Sequence, residues 1–273
     1  MIIEKSDPKF YYFGEYGAAF KHTFSALEAL QHSIELITWK NLNELINLVF
    51  PGKFLTKDIE TITGFNLSEE YRTGYGQIYE NDFTKHLDSL GYKRLYGKSE
   101  NFSKCIFGKM QIPFSKKIEY GEQLESKKYI SVFPRKRLDK YVPNMRNSEL
   151  IEEIEFIRSR YPEFEIIGHG LREERSDIND IKFTDNLYDK INVLNNSLFL
   201  ISPPSGFVEF ALCCACSCVI AKTDLISVKN NEERGHSSDF GGWVSFLKKS
   251  LNPHNAQILT WIEFVNKDFS YWV

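Results

Sequence analysis

No stretch of this 273-residue sequence approaches the roughly 20 consecutive apolar residues that cross a bilayer, and residues 1–20 lack the apolar core of a signal peptide. Neither an integral membrane segment nor secretion is therefore expected, and a cytoplasmic location is. Excess positive charge is missing as well: 34 basic against 37 acidic residues leave a net charge of −3. No global field then attracts nucleic acid, and no polybasic tail attracts a membrane surface. Repeats, heptads and low-complexity tracts are absent, which excludes solenoids and coiled coils. Cysteine is scarce and oddly distributed, with four of five crowded into Cys213, Cys214, Cys216 and Cys218 and Cys105 far away. Cys213-x-x-Cys216 has neither a second CxxC nor a histidine at ligand spacing, so these residues are read as small buried hydrophobes rather than a zinc or redox site.

What is present is a 42% hydrophobic content, ample for a core, in a chain long enough for one large domain or two ordinary ones. Residues 197–220, SLFLISPPSGFVEFALCCACSCVI, read as a buried strand, a tight Ser205-Gly206 turn, a small-residue helix and another strand. A turn of this kind offers backbone N–H groups at a helix N-terminus, where the dipole favours a diphosphate. A plain glycine-containing strand-to-helix turn gives the same pattern. Residues 129–137, YISVFPRKR, are an apolar strand running straight into Pro134-Arg135-Lys136-Arg137, followed by a polar loop to Arg146-Asn147 and the amphipathic LIEEIEFIRSRY. Cations after a parallel strand sit on the same sheet edge as the Ser205 turn, and arginine can grip phosphate oxygens bidentately. The alternative for such a cluster is a solvated turn.

Strand and helix signals alternate along the chain, which indicates a parallel α/β layer structure. Strands are expected at Lys9–Phe13 and Ser33–Trp39, and helices at Ala18–Gln31, Leu42–Phe50 and Asn81–Leu90. The aromatic, polar run within 56–120 is expected to form loops. A charged linker at roughly 116–128 precedes a restart of the alternation. There the expected strands are 129–133, 164–167, 198–201 and 217–221, and the expected helices 148–160, 186–195 and 207–215. Two further helices, Val244–Ser250 and Asn255–Phe264, close the chain.

These features resemble the GT-B fold glycosyltransferases, in particular the heptosyltransferase family. Gly14-Glu15-Tyr16-Gly17 before a helix looks like the family's first loop, FPRKR with Arg146-Asn147 is similar to its strand and basic loop, and Ser205-Gly206 looks like its Ser-Gly motif. A histidine often follows that serine by four residues in the family; here the position is Glu209. The resemblance implies two Rossmann-like βα domains facing a central cleft, with residues 1–120 on the acceptor side and 126–273 binding the nucleotide sugar. It further implies transfer of a sugar from a nucleotide-sugar donor to a glycan, glycoconjugate or other hydroxyl acceptor.

Such a transfer builds negative charge on the departing diphosphate, which fixed cations and helix amides can stabilise. Arg135, Lys136, Arg137, Ser205 and Gly206 are the candidates. No Asp-x-Asp metal motif occurs, since Asp177-Ile178-Asn179-Asp180 has the wrong spacing, so a metal-independent reaction without a cofactor is expected. Glu15 is the candidate base for the acceptor hydroxyl, against the alternative of a surface carboxylate; His22, Glu209 and Asp239 stand behind it. His169, in Gly168-His169-Gly170, either lines the base or sugar pocket or caps a turn, and Glu209 either holds a ribose or serves the dipole of its helix. Open alternatives are a polysaccharide pyruvyl transferase, a nucleotide-sugar epimerase, and a non-catalytic nucleotide- or glycan-binding module.

Overall fold

Short β-branched and aromatic runs can bury both faces only inside a parallel sheet covered by helices, and that is the α/β structure these residues adopt. The computed structural model describes residues 8–12, 24–64, 82–94, 115–134, 147–170, 181–203, 205–221, 254 and 256–266. By contact density the chain divides into two compact units, Met1–Lys116 and Lys117–Val273.

In the first unit β1 (Lys9–Tyr11), α1 (Phe24–Ala29), β2 (Glu35–Thr38), α2 (Lys40–Val49), β3 (Leu55–Asp58), α3 (Ile59–Thr63), α4 (Asp82–Ser89) and β4 (Lys93–Arg94) follow in order. The strands form a parallel sheet ordered β3-β2-β1-β4. Helix α2 buries Leu42, Leu45, Ile46 and Val49, one face at helical spacing. Asp58 caps α3 by accepting from the Glu60 amide at 3.2 Å, and Gly64 ends it at φ 67°, a left-handed conformation that glycine adopts without strain. Tyr11, Ile37, Ile59, Leu87 and Tyr92 pack together. Beside them Glu35 accepts from the Tyr92 hydroxyl and from Lys57 Nζ, the latter at 2.9 Å. Burial alone would raise the Glu35 carboxyl, but those bonds and the charges of Lys57 and Lys9 hold it below its ordinary range.

The second unit runs β5 (Tyr129–Val132), α5 (Asn147–Arg160), β6 (Glu165–Gly168), β7 (Lys182–Phe183), α6 (Leu187–Asn195), β8 (Ser197–Ser202), α7 (Gly206–Cys213), β9 (Ser217–Ile220), β10 (Ile258–Thr260) and α8 (Trp261–Asn266). Its parallel sheet is ordered β10-β9-β8-β5-β6-β7. All six residues of β8 are buried. Phe199 packs edge-on against Phe264 and Tyr161, with ring centroids 5.0 and 5.6 Å apart, and Trp261 and Ile157 complete that side of the core.

Three expectations need correction. Asn255–Phe264 is not one helix: Ile258–Thr260 is a strand, because this β-branched run pairs in parallel with Cys218–Ile220, and the helix begins only at Trp261. Strands β3, β4 and β7 have no counterpart in the sequence reading, being short and polar. The charged segment after residue 116 is no free linker but a strap bound to the second unit. Asn195 accepts from the Tyr120 amide at 3.1 Å and donates to the Ile118 and Cys214 carbonyls at 2.9 and 3.1 Å. Asn196 accepts from the Leu124 amide and donates to the Glu122 carbonyl, each at 2.9 Å. The expected helix Val244–Ser250 lies outside the described residues.

Asn195 is only 2% exposed, so Asn195→Ala leaves several buried backbone groups without their partner. We expect the unfolding transition of the second unit to lose about 2–3 kcal/mol in urea denaturation. A loss under about 0.5 kcal/mol, the range of an ordinary surface substitution, would show that the strap is not held by this side chain.

Candidate functional site

Strand order fixes where a ligand can enter a sheet of this kind. In the second unit the chain builds outward from β5 through β6 to β7, then returns to the other side of β5 with β8, β9 and β10. Adjacent crossovers therefore diverge between β5 and β8, and the carboxyl ends of two such strands are the usual ligand position in open α/β sheets. In the first unit the same reversal falls between β1 and β4.

Three segments leave the second sheet at one level. The Phe133 amide donates to the Ile201 carbonyl and the His169 amide to the Val132 carbonyl, both at 2.8 Å, while the Ala221 amide donates to the Ser202 carbonyl at 2.9 Å. Ser205, extended at φ −160° and ψ 161°, precedes α7 but does not cap it. Its hydroxyl lies 3.1 Å from Ser202 Oγ, whose own proton goes to the Pro203 carbonyl at 2.8 Å. The first-turn amides of α7 are thereby left without the side-chain acceptor that a serine normally supplies, at the positive end of the helix. Packing holds the helix down instead, since every residue from Val208 to Cys213 is buried.

The ring of Phe207, in that first turn, stacks on Phe133 with centroids 4.5 Å apart and planes 10° apart. It also leans on His169 at 5.2 Å and meets Phe210 edge-on at 5.6 Å. Phe133 is the second residue before Arg135, and Phe207 the second after Ser205. Neither phenylalanine stands out in the sequence as a site residue. The apolar character of both was visible, but nothing local distinguishes a ring that joins two loops from ordinary core.

His169 is fully buried. Its Nε2 lies 2.9 Å from Ser131 Oγ and its Nδ1 2.8 Å from Thr184 Oγ1, so both ring nitrogens are engaged inside the sheet. The imidazole thus bridges β5 and the segment just beyond β7. Burial, with a smaller contribution from the Lys190 charge, lowers its pKa to about 3. Glu209, in the first turn of α7, is 1% exposed, where a carboxylate complements the helix dipole. Cys213, Cys214, Cys216 and Cys218 are buried free thiols, as the composition suggested. Burial pushes all four pKa values up, that of Cys216 to about 12, so they act as apolar packing groups. Among the described residues no group of three or more His, Cys, Asp or Glu is arranged to hold a metal ion. No helix among them is long and apolar enough to cross a membrane.

Glu15, Arg135, Lys136 and Arg137 lie outside the described residues, as do His22 and Asp239. The chain enters the first of these segments after Tyr12, whose amide donates to the Ile37 carbonyl at 2.9 Å just beyond β1, and the second after Pro134.

No protein-family model matches the sequence, and no curated protein matches it. Among solved structures, a glycosyl transferase family 9 protein from Veillonella parvula superposes with a TM-score of 0.55 at 10% identity, covering 95% of this chain and 86% of its own. The chain shares the α/β fold of that glycosyltransferase. Two further superpositions reach 0.47. One is the Escherichia coli heptosyltransferase WaaC with ADP, 10% identical over 78% of this chain and 86% of its own. The other is the iron-containing dodecameric glycosyltransferase TibC from enterotoxigenic E. coli, 12% identical over 79% of this chain. The chain spans 58% of the length of TibC.

The buried imidazole has a measurable consequence. The unfolded chain protonates His169 near pH 6.5, whereas the folded unit resists until about pH 3. Its contribution is fully present above pH 6.5 and is lost as the pH falls towards 3, by at most about 1.4 kcal/mol per pH unit. Acid titrations of stability should therefore be shallower for His169→Gln than for wild type across that window. Parallel profiles would mean that the histidine titrates normally.

Proposed function

We propose that this chain is a glycosyltransferase that moves a sugar from a nucleoside diphosphate donor to a hydroxyl acceptor. The observation that carries this reading is the Phe133–Phe207 stack at the switch point, because it joins the strand end leading into Arg135-Lys136-Arg137 to the uncapped helix turn at Ser205-Gly206. A helix N-terminus without a serine side-chain cap, and a cation-rich segment that follows the neighbouring strand in the sequence, suit a diphosphate leaving group. The fold shared with a family 9 glycosyltransferase over nearly the whole chain supports the same conclusion.

In this mechanism the acceptor oxygen forms its bond to the anomeric carbon while the bond from that carbon to the diphosphate oxygen breaks. Negative charge then accumulates on the leaving diphosphate, and the first-turn amides of α7 with Arg135, Lys136 and Arg137 stabilise it without a metal ion. Glu15, four residues beyond β1 in the first unit, takes the acceptor proton. Glu209, in the first turn of α7, complements the helix dipole and is assigned to the ribose of the donor. The acceptor is a glycan or glycoconjugate hydroxyl.

Two experiments separate donor binding from chemistry. In calorimetric titrations with UDP, GDP and ADP, Arg135→Ala and Arg137→Ala should each weaken the diphosphate that binds by about 1.5–3 kcal/mol, leaving the corresponding nucleoside unaffected. Equal losses for nucleoside and diphosphate would take these arginines out of the phosphate role. Glu15→Gln should retain donor affinity while the turnover number falls by roughly two to four orders of magnitude. Near wild-type turnover in that variant would return Glu15 to an ordinary surface carboxylate.

A further inference from the structure

We propose that His169 is a positioning residue for the Ser205-Gly206 turn, acting through Phe207 as a neutral imidazole protonated on Nε2. This role presupposes that the turn binds diphosphate, as proposed above. A buried polar row crosses the second sheet: Ser197 Oγ donates to the Val193 carbonyl at 2.7 Å, Ser131 Oγ lies 2.8 Å from Ser197 Oγ and 2.9 Å from His169 Nε2, and Thr184 Oγ1 lies 2.8 Å from His169 Nδ1.

Counting protons gives the row a direction. Ser197 spends its proton on Val193, so Ser131 must donate to Ser197, and Ser131 then has only lone pairs to offer Nε2. The proton therefore sits on Nε2, and Thr184 donates to Nδ1 at 2.8 Å in preference to its longer, 3.4 Å contact with the Gly168 carbonyl. The opposite tautomer would make Ser131 the donor to the ring. Ser197 could then serve Ser131 or Val193 but not both, leaving one buried contact without a hydrogen. The ring so fixed supports Phe207 at 5.2 Å, and Phe207 supplies one of the first-turn amides of α7. With Ser205 turned towards Ser202, its hydroxyl does not fix those amides. Their direction depends on the ring packing beneath.

Calorimetry with inorganic pyrophosphate, well below the unfolding temperature, tests this on wild type, His169→Phe and His169→Gln. Wild type should bind, and the phenylalanine variant, which keeps a ring but loses both polar ends, should bind roughly three- to thirtyfold more weakly. The glutamine variant, whose amide can donate where Nε2–H did, should recover most of that loss. Nitrogen-15 spectra of wild type should report a neutral ring with the proton on Nε2 at neutral pH. Undiminished pyrophosphate binding by His169→Phe, or a ring protonated on Nδ1, overturns the assignment. If His169→Phe does not fold, Thr184→Val removes the hydroxyl that meets Nδ1 while leaving the imidazole in place, and unchanged pyrophosphate affinity there overturns it equally. Wild type that binds neither pyrophosphate nor UDP, GDP or ADP removes the diphosphate reading itself, and this role falls with it.

Discussion

β5 carries parallel hydrogen bonds on both of its edges, to β6 and to β8, and this double engagement sets the level at which three separate segments leave the second sheet. Because Val132 is in register with both Gly168 and Ile201, the residues that follow, Phe133, His169 and Ser202, emerge side by side. The strand order reverses at the same strand, the usual ligand position in open α/β sheets. A one-residue slip would exchange the faces of the strand and separate Ser131 from the histidine, so the buried row of hydroxyls and imidazole acts as a check on register. A break in register between Tyr129 and Ser131 on the β8 side accommodates the row without cost to the alignment at the carboxyl end.

At the turn itself, a local stabilising device goes unused. A serine placed before a helix usually stabilises it by about 1 kcal/mol through its side-chain cap. Here Ser205 bonds to Ser202 instead, and the helix is held by burial of Val208, Phe210, Ala211, Leu212 and Cys213. The small, protonated cysteines that follow allow α7 and β9 to pack closely. The missing cap is thus offset by an apolar interface.

Most of the second sheet was legible because its strands are concentrated apolar runs. YISV, EIIG, SLFLIS and SCVI stand out against amphipathic helices and end near recognisable turn residues. The polar LTKD of β3 gives no such signal and becomes a strand through pairing with β2, with Lys57 bonded to Glu35 across the sheet. Ile258–Thr260 was lost for the opposite reason. Its apolar residues continue into Trp261 and Phe264 at spacing that suits a helix, and only the free edge of β9 selects the strand.

The sequence by itself determined the α/β class, the Ser205-Gly206 turn at the end of a buried strand, and the cysteines as small apolar packers, since each depends on residues within one or two turns of chain. Only the tertiary structure decided that Phe133 stacks on Phe207, that His169 lies beneath them with both nitrogens engaged, and that Asn195 and Asn196 bind the connecting strap. These contacts join residues 15 to 77 positions apart, and their partners are chosen by strand order and register. Hydrophobic periodicity reports which face of an element is buried; it carries no information about which other element covers that face.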